Sequence, residues 1–134
     1  MMADSILKVR NSLKGVGRAP VFVQDFCREN SIPEKDASSL CVVLDEMLPN
    51  ISQITTSPRI CLEIVKHDQV LECIISSESE KYDLAQPTAL VWPAAAADSR
   101  ISNLSMKIIH KLVDRIECVH DAGITTTRLF KNLV

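Results

Sequence analysis

The sequence predicts an α+β fold of two layers, a largely antiparallel sheet covered on one face by three helices. Three observations support this prediction. Two stretches near the start have the period of helices, two pairs of short alternating stretches follow, and one further helical stretch separates those pairs. The length of 134 residues is typical of one compact domain, so we expect residues 1–134 to form a single domain.

The chain is predicted to begin with a strand and a helix. Residues 5–9, SILKV, are apolar at alternate positions and predict a short first strand. Residues 19–30, APVFVQDFCREN, predict a helix with Pro20 in its first turn, where the missing N–H costs little.

The second predicted helix, residues 31–52, carries the clearest apolar stripe of the chain. Ser31 is expected to be its N-cap, and Pro33 fits its first turn. Apolar side chains at this spacing line one face of a helix, which packs against the core. The stripe consists of Leu40, Leu44, Met47, Leu48 and Ile51.

Two hairpins are predicted from pairs of alternating stretches. Residues 59–65 and 70–76 form the first pair, joined by the short polar sequence KHDQ. Residues 116–120 and 125–133 form the second pair around a turn at residues 121–123, and the β-branched threonines of its last strand favour a sheet.

A loop and a third helix are predicted between the two hairpins. Residues 76–103 mix Ser, Glu, Pro and Ala without a clear period and exceed a usual connection, so we predict a long loop or lid. Residues 102–115 return to helical spacing through Leu104, Ile108 and Leu112.

Composition excludes several classes of protein. The formal net charge of −2 gives no broad attraction for nucleic acid or for an anionic membrane. No segment approaches the ~20 apolar residues that span a bilayer. We therefore expect a cytoplasmic protein without a nucleic-acid or membrane partner. The five cysteines are scattered without a C-x-x-C pair, which predicts reduced core residues rather than a zinc site.

One polar pair interrupts the second helix. Glu46 and Asn50 are four residues apart and therefore face the same side. A carboxylate can take a proton and an amide oxygen can bind Mg²⁺, although the same spacing also occurs in solvated pairs. Pro49 cannot donate to the Asp45 carbonyl, so the helix is expected to kink or end nearby and to mis-aim Asn50.

The order of elements, with the segments 42–52, 71–84 and 101–133, resembles the GHKL ATPase fold. More narrowly, it resembles the small bacterial anti-sigma-factor serine kinases of partner-switching pathways, and the resemblance covers nearly the whole chain. It implies one histidine-kinase-like ATPase domain. In that family a Glu-x-x-x-Asn helix supplies a catalytic carboxylate and a Mg²⁺-binding amide, and Glu46 and Asn50 match this motif.

The resemblance also shows departures at the other nucleotide motifs. Ser77 stands where the family has the Asp that binds the adenine amino group, and Ser79 stands at the glycine of the same motif. Asn103 and Ser105 replace the Gly-x-Gly that aims backbone N–H groups at the phosphates. Arg100 would meet a phosphate if nucleotide binds. These replacements predict that neither ATP nor Mg²⁺ is a cofactor.

Three functions follow as alternatives. The favoured one is a homodimeric regulatory protein that binds a sigma factor or an anti-sigma-factor antagonist, with nucleotide use lost or weakened. The alternative is an active ATP-dependent serine protein kinase that phosphorylates such an antagonist, with Glu46 catalytic and Mg²⁺ at Asn50. A phosphorylatable antagonist of the sulfate-transporter type is disfavoured, because that fold alternates strand and helix whereas this chain has two consecutive helices and then a hairpin.

Overall fold

A computed structural model describes residues 2–80 and 103–133, and within them five antiparallel strands form one sheet. The strands are β1 Met2–Arg10, β2 Arg59–His67, β3 Val70–Glu78, β4 Arg115–Asp121 and β5 Ile124–Asn132. The helices are α1 Leu13–Val16, α2 Ala19–Glu29, α3 Glu34–Ile54 and α4 Asn103–Leu112. The spatial order of the strands is β1-β2-β3-β5-β4. The predicted α+β sandwich, with three helices longer than one turn, is confirmed.

Both predicted hairpins are present and close through tight turns. In the β4–β5 turn, Ala122 has φ of 52° and Gly123 has φ of 79°. Two successive positive φ values give a turn whose twist matches that of the flanking strands, and glycine adopts such a φ without steric cost. Asp68, in the β2–β3 turn, has φ of 50°. The hairpin register is therefore fixed locally at both turns.

The hydrophobic core lies between the sheet and its helices. On β2 the inward residues Ile60, Leu62 and Ile64 are fully buried, while Leu44 and Met47 of α3 are equally inaccessible. Every member of the predicted α3 stripe is buried, which confirms that this face packs on the core. The strand pairs β2–β3 and β3–β5 place this core at the centre of the sheet.

The beginning of α3 differs from the prediction. Pro33 is its N-cap residue, with φ of −55° and ψ of 140°, so the expected Ser31 cap is wrong. Ser31 instead has φ of 57°, and the next N–H, from Ile32, donates to the Cys27 carbonyl over 2.9 Å. Ser31 therefore belongs to the turn that ends α2.

Pro49 does not end its helix, so the expected ending there is wrong, whereas the expected kink stays a prediction. Helix α3 continues for another turn to Ile54, although the Pro49 nitrogen has no hydrogen to donate. The helix ends where Thr55 turns to extended backbone, and the Thr55 hydroxyl donates to the Ile51 carbonyl over 2.6 Å. Burial of the flanking apolar residues holds the helix together past the missing backbone bond.

The buried face of α4 is formed by neighbours of the residues that marked its helical spacing. Met106 and Ile109 are buried on it, as is Val113 just beyond it, whereas Ile108 is 36% exposed. This helix is apolar on more than one side, so spacing alone did not select the face that docks on α3. The strand β3 continues to Glu78, and residues 81–102 of the predicted lid lie outside the described residues.

The five cysteines are free thiols, in agreement with the prediction. Cys27, Cys41 and Cys73 are buried, whereas Cys61 and Cys118 are half-buried. Burial, reinforced by the neighbouring Cys41 and Asp36, raises the pKa of Cys27 to about 11. Burial likewise raises the pKa of Cys73 to about 12. Both thiols are protonated at neutral pH, so they are packing residues rather than nucleophiles.

None of the described helices is both long and apolar enough to cross a membrane.

Candidate functional site

Glu46 and Asn50 lie at the border of the buried stripe on α3. Both side chains are half-buried, whereas Met47 is fully buried and Asp45 is exposed. Their spacing places both side chains on the side of α3 that faces α4. The structure therefore brings the predicted pair together at a helix junction.

The Asn50 side chain bonds to its own helix. Its amide nitrogen donates to the Glu46 carbonyl over 3.0 Å. Pro49 lies between the two residues, and a proline ring crowds the carbonyls of the preceding turn and weakens their backbone bonds. The Asn50 amide thereby adds a side-chain donor to this turn, at the Glu46 carbonyl rather than at the Asp45 carbonyl that Pro49 leaves without its backbone bond.

The Glu46 carboxylate bonds to α4. The Ser105 hydroxyl donates to Glu46 Oε2 over 2.8 Å, and both residues are partly buried. Ser105 stands in the first turn of α4, at the second glycine position of the family motif. The carboxylate that the resemblance makes catalytic is thus hydrogen bonded to a side chain that a glycine does not have.

Ser77, at the position of the adenine-binding Asp, is buried and 5% exposed. Its hydroxyl forms a hydrogen bond with the Thr55 hydroxyl, with 3.0 Å between the oxygens. This bond ties the end of β3 to the segment that follows α3. The Ser77 hydroxyl is therefore used to hold the fold at this position.

Ser79, at the glycine position of the same motif, is 7% exposed and also bonds within the protein. Its hydroxyl donates to the Glu80 carbonyl over 2.9 Å, and it lies 2.9 Å from Thr125 Oγ1. Thr125 Oγ1 is in turn 2.8 Å from Nδ1 of His120. Ser79 does not belong to the described residues that have a positive φ. Its backbone conformation therefore does not require a glycine.

The remaining predicted site residues lie at or beyond the described boundary. Asn103 is the first residue of α4, and Arg100 belongs to residues 81–102, which lie outside the described part. No group of three or more His, Cys, Asp or Glu side chains in the described ranges could hold a metal ion. The Asn50 bond to its own helix uses the amide nitrogen, so it does not involve the amide oxygen that would bind Mg²⁺.

Sequence reasoning missed the buried hydroxyls around this site. Thr125 and Thr127 of β5 are fully buried, and Thr55 is 8% exposed. The signal was present in the alternation of β5, which places Thr125 and Thr127 on the same face as the buried Leu129. Together with Ser77 they form a polar end to an otherwise apolar inner sheet face.

Comparison with known proteins identifies the fold. No protein-family profile matches the chain, and no curated protein matches it. The crystal structure of the RsbU and RsbW domains of Rv1364c from Mycobacterium tuberculosis is similar over 98% of this chain, with a TM-score of 0.69 and 12% sequence identity. This chain spans 32% of that chain. At 12% identity this similarity shows the fold alone, and at that level the resemblance expected from the sequence is confirmed.

Proposed function

We propose that this chain is a cytoplasmic regulatory protein that binds a sigma factor or an anti-sigma-factor antagonist, with nucleotide use lost or weakened. The observation that carries the proposal is the fold shared with the RsbU–RsbW structure over 98% of the chain. Weakened nucleotide use is supported by the residues at the nucleotide motifs, of which Ser77, Ser79 and Ser105 depart from the family pattern.

The adenine position supports weakened nucleotide binding. Exchange of a charged acceptor for Ser77 removes a hydrogen bond typically worth ~1.5–3 kcal/mol, which corresponds to roughly ten- to a hundred-fold in affinity. The Ser77 hydroxyl is also bonded to the Thr55 hydroxyl, so its position is set by the fold.

The catalytic and phosphate positions support the same conclusion. The Glu46 carboxylate, which the resemblance makes the catalytic base, accepts the bond from Ser105 and would have to share or give up that bond to accept a proton from a substrate hydroxyl. At a Gly-x-Gly turn the backbone itself approaches the phosphates, and Ser105 adds a side chain at that point. These effects concern one ligand, so they compound without being strictly additive.

One observation favours the alternative, an active serine protein kinase. Glu46 and Asn50 keep the identity and spacing of the family motif, and both are half-buried on the same side of α3. In such a kinase Glu46 would accept the proton of the substrate hydroxyl, and Asn50 would hold Mg²⁺ when nucleotide is bound. Phosphate transfer from labelled ATP to a captured antagonist, lost in Glu46→Gln, would establish this alternative.

We also infer a homodimer, which the resemblance implies. The described helices lie on one face of the sheet, and the opposite face carries exposed apolar side chains. Ile6 is 57% exposed, Val119 is 59% exposed and Ile124 is 43% exposed. A second copy would remove such side chains from water. Sedimentation equilibrium should give twice the chain mass, and a monomer at 100 μM would contradict this inference.

The partner is tested by capture with the whole chain. The tagged protein is incubated with extract of the bacterium that encodes it, and bound proteins are identified by mass spectrometry against a tag-only control. Recovery of a sigma factor or a small antagonist supports the proposal. Recovery of neither, from cells in which both are expressed, contradicts it.

A further inference from the structure

Positive charge is segregated near the start of the chain. Residues 5–24 contain Lys8, Arg10, Lys14 and Arg18 but no Asp or Glu, although the whole chain has 17 acidic and 15 basic residues. The net charge of −2 therefore conceals a local surplus of four positive charges. Such a surplus is a feature of surface electrostatics rather than of fold.

The fold gathers these cations around one cavity. Arg10, Lys14 and Arg18 line an open cavity of about 360 Å³ together with Ser12 and Gly15, and we call it the cationic pocket. The three charged residues are exposed. Their side chains reach it from the end of β1, from α1 and from the residue before α2.

Close packing of the backbone builds this pocket. A Cβ on Gly15 would lie 2.1 Å from the Arg10 carbonyl oxygen, so only glycine lets α1 lie directly against the end of β1. The Ser12 hydroxyl accepts the Gly15 N–H over 3.0 Å, and Asn11 Nδ2 donates to the Thr55 carbonyl over 2.9 Å. The Gly15 N–H is thus satisfied internally, and the charge of the pocket comes from side chains.

The surrounding sheet carries charges of both signs, because Glu78 lines a neighbouring cavity together with Lys8 and Arg59. Arg10 lies directly opposite Arg59 in the β1–β2 pairing, and Lys8 lies on the same sheet face. Like charges directly opposite each other destabilise a sheet. Within the described ranges, the carboxylates form no ion pair with Arg10, Lys14, Arg18 or Arg59.

We propose that the cationic pocket binds an acidic segment of a protein partner. Several carboxylates spaced along a partner chain match the three cations that reach the pocket from the end of β1, from α1 and from the residue before α2. The pocket lining has no aromatic side chain on which a nucleic-acid base could stack. The inference rests on the proposed function only in that the chain acts by binding protein.

The test uses a fluorescein-labelled peptide of ten glutamates and fluorescence anisotropy with the whole chain. The peptide should bind at low salt and weaken steadily as NaCl is added, because exposed charge pairs are screened. The double variant Lys14→Gln/Arg18→Gln should weaken binding by about 2- to 30-fold, because it removes two exposed ion pairs between the protein and the peptide. The control Lys107→Gln/Lys111→Gln, with the same charge change on α4, should stay within about twofold.

Several outcomes would overturn the inference. These are the lack of peptide binding at 1 mM protein, an equal loss in both double variants, or tighter binding of a ten-nucleotide oligo(U) that is weakened by the same variant. Circular dichroism checks folding, and Lys14→Gln alone replaces the double variant if Arg18→Gln unfolds. If the peptide does not bind, the capture experiment can still recover a protein partner. The two experiments therefore test the cationic pocket and the proposed function separately.

Discussion

The bond between Ser105 and Glu46 gives the most direct prediction about the candidate site. Ser105→Ala removes the donor, Glu46→Gln removes the charge but keeps an acceptor oxygen, and Glu46→Ala removes the carboxylate. A hydrogen bond to a charged group is worth ~1.5–3 kcal/mol, and the partial exposure of both residues reduces this to about 1 kcal/mol. We expect Ser105→Ala to destabilise the protein by about that amount.

A double-mutant cycle separates this bond from unrelated effects. Ser105→Ala, Glu46→Ala and the double variant are compared in urea unfolding, and the coupling free energy should be about 0.5–1.5 kcal/mol. For 134 residues, 1 kcal/mol corresponds to roughly 3–4 °C in melting temperature. Glu46→Gln should stay within about 0.5 kcal/mol of the original protein, since it retains an acceptor. A coupling energy below about 0.3 kcal/mol would refute the view that Ser105 holds this carboxylate.

Three further predictions concern packing and pH. Leu44→Ala should destabilise the protein by roughly 2–5 kcal/mol, whereas Val42→Ala on the exposed side of α3 should cost less than about 1 kcal/mol. Equal melting temperatures of the two variants would mean that Leu44 does not lie on the core face of α3. Gly15→Ala should destabilise by roughly 1–3 kcal/mol, because its Cβ would press on the Arg10 carbonyl, and an unchanged urea midpoint would contradict the close approach. Cys73, with its pKa raised to about 12, contributes stability below the unfolded pKa of 9.0 that is lost as pH rises toward 12, so at pH 10 the free energy of unfolding should have fallen by about 1 kcal/mol. In Cys73→Ala the free energy of unfolding should fall less between pH 8 and pH 10, by that amount. An identical fall in both proteins would refute the view that burial raises the pKa of Cys73.

The sequence predicted the fold where local patterns and burial agree. The α3 stripe around Leu44, the alternation of β2 and β3, and the glycine turn at Gly123 each specify one structure. Both hairpins and the sandwich follow from them. The buried face of α4 could not be predicted, because Ile108 and Ile109 are equally apolar and only docking against α3 decides between them.

The candidate site was predicted as positions but not as contacts. The spacing of Glu46 and Asn50 predicted that they lie together, but the side chains that bond to the site residues Glu46 and Ser77 are distant in sequence. Ser105 is 59 residues from Glu46, and Thr55 is 22 residues from Ser77. Such pairs depend on the packing of α4 and the end of β3, which no local pattern contains. The continuation of α3 past Pro49 was also missed, because flanking burial outweighed one lost backbone bond.

Calorimetric titration with ATP in the presence of Mg²⁺ tests the central proposal most directly. The protein at 100 μM is titrated with ATP at neutral pH, and Ser77→Asp serves as a matched variant that restores the family carboxylate. We predict no dissociation constant below 1 mM for the original chain and no rise in its melting temperature at millimolar ATP. A micromolar dissociation constant, abolished by Asn50→Ala, would contradict the proposal and establish a working nucleotide site.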